Sequence, residues 1–559
     1  MLSFKRLMYI VLVVAVLGGI FLVYNIRENR PTGAQIQNNP AAEREFIEAG
    51  QVEEGEKPRI WILGDAGSGC GVYGNVRQLC EDLHLPLAEE GYLDADAAEA
   101  QDLIIFCDAS VCRYADPDEL EGFIADGGRV ILAAGFEEEK SSLWKVFGIR
   151  ARSSEENCHD LVFEKPLLPV QPERAYYDGD SGSFRIEADA DASVYLRDEE
   201  TDIPILYTYP WQEGGVCLIN GNFLTDIRCM GLLTGAISAL LPDFTYPVLG
   251  VKSVFLDNFP VVTSDDNELC RRVYGYSAQG FVQNVVWPAL QGMSLRTNAP
   301  YTSCTLAAAP SADRFEAMDD ALFADVAKSL LQFGGEMAYA ADCPEDGQVV
   351  LNRDFLGRFS TAFPDYIVRG LAAGSDGAEL PDIPGADIRF VRGMLENRST
   401  RLSWKDGLTV FPAATRGNSM EDGNLFAVYS LLGAYGMVSH VFEADAFIAS
   451  NGSAAWDGCK QQLALFEEVL SHASWLEGRT LSGTEGDVRS YQDLDYGWRR
   501  SGSCVDFYCG SAVKGQAFFY HTDSRVAGAE GLSCEDVGNG YYLLRVQENH
   551  GVITLEEGR

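Results

Sequence analysis

The chain has 559 residues, with 83 acidic side chains against 43 basic ones, a formal net charge of −40 and a pI near 4.4. That balance excludes nucleic acid as a partner, since nucleic acid needs a basic footprint, and it disfavours anionic lipid or wall polymers while permitting a cationic polymer. A hydrophobic content of 47% is ordinary for globular cores, and the length allows two or three domains.

Taken in chain order, the first feature is an uncharged, almost wholly apolar run, Met8–Tyr24, preceded by Lys5 and Arg6 and closed by a polar stretch ending at Pro31. Its length lies at the short end of the membrane-spanning range. No clear small-residue cleavage site and no lipid-accepting Cys follows it, so the sequence predicts an uncleaved signal anchor. The N-terminus would then lie inside and the bulk of the chain outside, in a single-pass cell-membrane protein. Residues 31–57 lack periodicity and read as a linker.

Arg59–Leu63, Leu103–Cys107 and Val130–Ala134 are short apolar runs, with helical patterns at Val72–Leu83 and after Pro117. Pro117 with acids in the first turn is a helix start, and Gly127-Gly128 is its stop. This strand–helix rhythm predicts an open α/β sheet, similar in layout to flavodoxin-like and amidotransferase-like domains. Gly69 to Gly74 spells G-x-G-x-x-G, but no acidic residue closes a second strand at the expected place, so a plain glycine turn is the reading. Of the 14 Cys, none forms a C-x-x-C zinc pair. Cys107 with Cys112, and Cys504 with Cys509, are candidates for local disulfides in an oxidising compartment.

Val251–Leu256 is a buried-strand pattern that ends in Asp257-Asn258 and is broken by Pro260. An acid at the C-terminal end of a buried strand is where βα barrels mount chemistry, although a strand-to-turn Asx cap uses the same residues. Strand and helix patterns alternate from there to about residue 485. Residues 490–559 carry short strands separated by Gly, Asp and Asn turns, the pattern of a small β-sandwich.

Leu256-Asp257-Asn258-Phe259-Pro260, Tyr274-Gly275-Tyr276-Ser277, Phe281, Trp287-Pro288 and Tyr301-Thr302 together resemble exported bacterial polysaccharide-deacetylase-like proteins of the Pel-type exopolysaccharide kind, distant relatives of NodB-type carbohydrate esterases. The resemblance is specific over 254–302 and thin elsewhere. It implies Asp257 as a general base and a metal held by the following Asp and two His. In this chain those three positions are Asn258, Ala340 and Pro344, while His440 matches a late His near a strand end. Ala and Pro offer no donor, and a neutral Asn oxygen is a weak ligand, so activation of water by an open-site metal is lost.

The expected fold class is α/β: a transmembrane helix (1–30), a linker (31–57), a flavodoxin/amidotransferase-like domain (58–248), a distorted βα-barrel of polysaccharide-deacetylase type (249–485) and a C-terminal β-rich domain (486–559). The candidate site comprises Asp257 and His440 as catalytic positions and Asn258, Trp287 and Asp342 as substrate-binding positions. No cofactor is expected, the alternative being a zinc-like divalent metal at a site rebuilt with Asp342 or Cys343. The expected partner is a polysaccharide, with amino sugars as one option, together with the membrane and an exopolysaccharide synthesis or export complex. Three functions fit: a catalytically degenerate glycan-binding protein, an active carbohydrate esterase, or a scaffold in a cell-envelope complex.

Overall fold

The structure is a computed structural model. It describes residues 46–47, 57–65, 71–88, 91–94, 97–138, 142–260, 266–306, 320–341, 361, 363–373, 387–395, 401–420, 423–447 and 455–556.

The first module is a nine-stranded sheet. Leu87–Ala88, Ile60–Leu63, Leu103–Phe106, Arg129–Leu132 and Gly214–Ile219 run parallel in that order. Ile60–Leu63 and Leu103–Phe106 are buried at every position, which is why they read as unbroken apolar runs without alternation. Helix Pro117–Ala125 starts as its sequence dictates: the Asp116 side chain accepts from the backbone N–H groups of Asp118 and Glu119, and Pro117 stands in the first turn.

The second module is a ten-stranded sheet built on Val251–Asp257, all of whose residues are buried. Val251–Asp257 pairs in parallel with Tyr301–Leu306 on one side and Met437–Glu443 on the other. From Tyr301–Leu306 the parallel run continues through Glu336–Ala341, Gly370–Ala373, Phe390–Arg392 and Leu408–Val410. Thr415–Arg416, which follows shortly after Leu408–Val410 in the chain, pairs with Met437–Glu443. The sheet therefore curls until the single stretch 408–416 touches both ends of the run. This curl brings Arg392 and Arg416 to the C-terminal end of the Val251–Asp257 strand.

The expected fold class is corrected in three places. No described helix is long and apolar enough to cross a membrane, so nothing in the structure supports the single-pass anchor or the membrane localisation expected from it; the apolar run Met8–Tyr24 lies outside the described residues. The α/β module is only half parallel. Beyond Gly214–Ile219 its sheet continues antiparallel through Pro204–Trp211, Ser193–Asp198, Asp160–Phe163 and Arg174–Tyr176, unlike a doubly wound flavodoxin-like sheet. The C-terminal β module, finally, is not local in sequence. Asp243–Val248 pairs with Ala517–Thr522, and Phe46–Ile47, inside the expected linker, pairs with Cys504–Val513.

One smaller expectation also changes, that of local disulfides. The helical segment after Ser277 runs through Trp287-Pro288, from Ala278–Phe281 through a π-helical turn at Val282–Val286 into Trp287–Thr297. A wider turn just before Pro288 accommodates a residue that lacks an N–H and crowds the carbonyl four residues earlier. Cys107, Cys112, Cys504 and Cys509 are free thiols. Cys504 and Cys509 lie on one extended strand, Cys504–Val513, and five residues of strand span roughly 16 Å, beyond the reach of a disulfide.

The first two modules lock together where helices Met230–Leu240 and Asn424–Tyr435 cross. The Gly231 N–H donates to Ser430 Oγ at 2.9 Å, and a Cβ on Gly231 would sit 2.2 Å from the Ser430 carbonyl oxygen. Backbone cannot retreat as a flexible side chain can. Gly231→Ala is therefore expected to lower stability by about 1–3 kcal/mol, measured as a reduced urea midpoint at unchanged m-value.

Candidate functional site

The C-terminal end of the Val251–Asp257 strand carries a charge cluster whose partners come from far along the chain. Asp257 is buried, 6% exposed, and its carboxylate accepts a bidentate pair from Arg392: Nη1 to Oδ1 at 2.8 Å and Nη2 to Oδ2 at 3.1 Å. Arg416 Nη2 adds a third charge-assisted bond to Oδ2 at 2.8 Å. Burial alone would raise the Asp257 pKa, but the two guanidinium groups outweigh it and hold the carboxyl below its ordinary value. Arg392 is 3% exposed, and its guanidinium lies 5.4 Å from the Phe255 ring centroid. Arg416 is half exposed at the rim, with its Nε 3.6 Å from Glu443 Oε1.

Strand alternation decides what else can join this cluster. Paired residues on neighbouring strands share a face, and successive residues alternate. Asp257 pairs with Cys304 and Glu443, so these three share a face. His440 pairs with Val254, three positions from Asp257, and so lies on the opposite face. There it is fully buried against Phe442 and Phe466. Its Nε2 lies 2.9 Å from the Gly417 carbonyl, which can only accept, so Nε2 carries the proton and Nδ1 accepts from the Thr415 hydroxyl at 2.7 Å. Burial lowers its pKa to about 4. The expectation that His440 and Asp257 act together is thus overturned by the register: the sheet stands between them.

The remaining candidates divide. Asn258 is in a left-handed conformation, φ 57°, and its N–H donates to the Cys304 carbonyl at 3.0 Å. The turn it begins is held by Ser303 Oγ and Thr305 Oγ1, which both donate to the Phe259 carbonyl at 2.7 and 2.9 Å. The strand thus ends in a turn that starts at a left-handed Asn258, a conformation that Asn tolerates better than most residues. Trp287 is 5% exposed, packs against Phe259 and Tyr301, and donates its Nε1–H to Ser329 Oγ at 3.1 Å. It belongs to the core and presents no face for stacking a sugar. Asp342, with Cys343 and Pro344, lies outside the described residues.

Among the described residues, Asp257 and His440 as placed do not fit a divalent cation. Asp257 has both oxygens taken by arginine, His440 uses both ring nitrogens in the core on the other face, and Ala340 offers no donor atom. Among the described residues no group of three His, Cys, Asp or Glu side chains could hold a metal. Cys304 offers no nucleophile either, because burial raises its thiol pKa far above neutrality.

Arg392 and Arg416 are the residues sequence reasoning missed. The available signal was Phe390-Val391-Arg392, a charged side chain in a short apolar strand. Such an arginine requires a buried acid, and Asp257 is the acid at the matching strand end.

Comparison with known proteins adds little to this geometry. No curated protein matches the chain. Among solved structures, a beta-galactosidase from Bacillus circulans sp. alkalophilus aligns at 11% identity over 33% of this chain and 30% of its own, with a TM-score of 0.23. The exo-beta-1,4-mannosidase Op5Man5 from Opitutaceae bacterium strain TAV5 aligns at 11% identity over 33% and 36%, with a TM-score of 0.24. An alpha-L-fucosidase isoenzyme 2 from Paenibacillus thiaminolyticus aligns at 15% identity over 34% of each chain, with a TM-score of 0.27. The chain spans about a third of the length of these enzymes, and at such scores the likeness shows neither a shared fold nor a shared activity. Residues 76–339 match the model of a family described as "Uncharacterised protein conserved in bacteria (DUF2194)", a match that ends before Arg392, Arg416 and His440.

Proposed function

We propose that this chain is a non-catalytic, deacetylase-like protein that binds a polysaccharide without removing acyl groups from it. The observation that carries the reading is the double arginine clamp on Asp257. A general base must offer a lone pair to a water or substrate proton, and this carboxylate already accepts three charge-assisted hydrogen bonds in a buried setting. The resemblance over 254–302 supplies the polysaccharide, and the acidic surface is compatible with a chain that carries free amino groups.

A second reading, a scaffold within an envelope complex, is favoured by the way the curled sheet is filled. Arg392 and Phe255 occupy its interior near one end. Near the other, buried Glu336 accepts from the Ser482 N–H at 2.8 Å.

The test uses the full chain with acetylated chitotetraose, in the presence of added zinc, cobalt or nickel. The expected result is no acetate above the rate without protein, together with saturable binding of the tetrasaccharide. Metal-dependent acetate release would overturn the non-catalytic reading. Neither release nor binding would overturn the polysaccharide reading in favour of the scaffold.

A further inference from the structure

A cleft of about 780 Å³ lies between the α/β module and the C-terminal β module, and no residue of the Asp257 cluster lines it. Its walls are the loop around Lys165, Tyr195, the last turns of helix Met230–Leu240, and the ends of the strands that carry His521–Asp523 and Asn539–Tyr541. Two bonds fix the walls to one another: Tyr541 Oη donates to the Leu167 carbonyl at 2.9 Å, and Asn539 Nδ2 donates to the Leu168 carbonyl at 2.8 Å. The cleft is therefore preformed. Its volume is in the range of small-molecule sites.

We propose that this cleft is a binding site for an uncharged sugar unit. Lys165 and Asp523 both line it, and neither makes a salt bridge with the other or with any described residue. An anion would meet Asp523, and a cation would meet Lys165. A hydroxyl group both accepts and donates, so neighbouring hydroxyls on one ring satisfy the ammonium and the carboxylate together. His521 adds no charge at neutral pH, since burial outweighs Asp523 and Asp243 and lowers its pKa. Asn539 has its amide N–H engaged with Leu168 and keeps Oδ1 as an acceptor. Tyr195, half-buried with the Lys165 ammonium 5.7 Å from its ring centroid, supplies an apolar face beside these polar groups. A hydrocarbon or lipid chain would leave Lys165, Asp523 and Asn539 unpartnered on binding, which opposes it.

The proposal rests on the polysaccharide reading only for the choice of probes; the cleft does not depend on the Asp257 cluster. Binding of cellotetraose, acetylated chitotetraose and its fully de-N-acetylated form is measured calorimetrically on the full chain. The variants are Asp523→Ala and Lys165→Ala, both at exposed positions, with Arg416→Ala as the control at the other site. The expected result is binding of an uncharged tetrasaccharide that weakens about tenfold or more in each cleft variant, equivalent to ~1.4 kcal/mol, and is unchanged in Arg416→Ala. Binding that Arg416→Ala weakens and the cleft variants do not would overturn this inference while leaving the polysaccharide reading intact. Exclusive binding of the de-N-acetylated form, lost in Asp523→Ala, would overturn the choice of an uncharged ligand. No binding of any probe would overturn both.

Discussion

Replacing Arg392 with methionine is expected to destabilise the protein by about 3–5 kcal/mol, because it strands a buried carboxylate that has lost its bidentate partner. Arg416 cannot take over. It is half exposed, it reaches only Oδ2, and its Nε faces Glu443. Asp257→Leu is expected to be comparably costly, since it leaves the Arg392 guanidinium buried without its carboxylate partner. The double change Asp257→Leu with Arg392→Met removes both charges and keeps most of the volume. Much of the loss should then be recovered, giving a coupling of several kcal/mol in a double-mutant cycle read from urea melts. If Arg392 did not hold the Asp257 carboxylate in the folded protein, the cycle would show no coupling. The experiment thus tests the clamp that withholds Asp257 from base chemistry without needing a substrate.

This contrast also marks where sequence was legible. Val251–Asp257 was readable from Val251 and the apolar run Val254-Phe255-Leu256, although buried Lys252 and Ser253 interrupt the pattern, and its end was readable because Asn258 and Pro260 cannot continue it. The role of Asp257 was not readable from the strand alone. Its partners lie 135 and 159 residues downstream, and only the curl of the sheet brings them together. His440 failed for a different reason. A strand end seen in one sequence does not reveal which face a residue takes, and a register slip of one residue would have exchanged the faces. Trp287 shows the same limit, since an indole against Phe259 and Tyr301 in the core carries the same letter as one lining a cleft. The mixed α/β sheet was half legible: its parallel strands alternate with helices, whereas its antiparallel strands follow one another with turns and resemble an appended β segment.

Two buried groups of opposite kind should make stability respond to pH in opposing directions, and single substitutions should expose each response. Asp82 ends helix Val72–Asp82, accepts from Gln78 Nε2 at 2.6 Å and from Tyr435 Oη at 3.1 Å, and so ties the α/β module to helix Asn424–Tyr435. Burial, opposed by those bonds and by Arg401, raises its pKa from 3.8 to about 7. Between these values the folded state holds a proton that the unfolded state has released, so stability falls as pH rises from about 4 to about 7 and the loss persists above that. The full effect is roughly 4 kcal/mol, because each tenfold change in proton affinity between the folded and unfolded states is worth about 1.4 kcal/mol. His440 has the opposite sign. Its folded value of about 4 lies below its ordinary 6.5, so the unfolded state binds the extra proton between them and stability falls as pH drops through that window, by roughly 3 kcal/mol in all. From about pH 4 to 6.5 the two slopes nearly cancel. Asp82→Asn keeps the acceptor for Tyr435 and, once the Gln78 amide turns over, donates to Gln78 Oε1, with Gln78 Nε2 replacing Oε1 as the buried atom without a partner. It is expected to stabilise the protein at pH 8 by about 2–4 kcal/mol relative to the parent, with the gain vanishing near pH 4. In His440→Gln the loss relative to the parent should instead be largest at neutral pH and shrink toward pH 4. Urea unfolding of the three proteins from about pH 4.5 to 8 reads both effects as differences, which removes the contribution of all other carboxylates. A pH-independent offset for Asp82→Asn would mean that Asp82 is ionised in the folded protein, and that its bonds to Gln78 and Tyr435 suffice to hold a charge between the two modules.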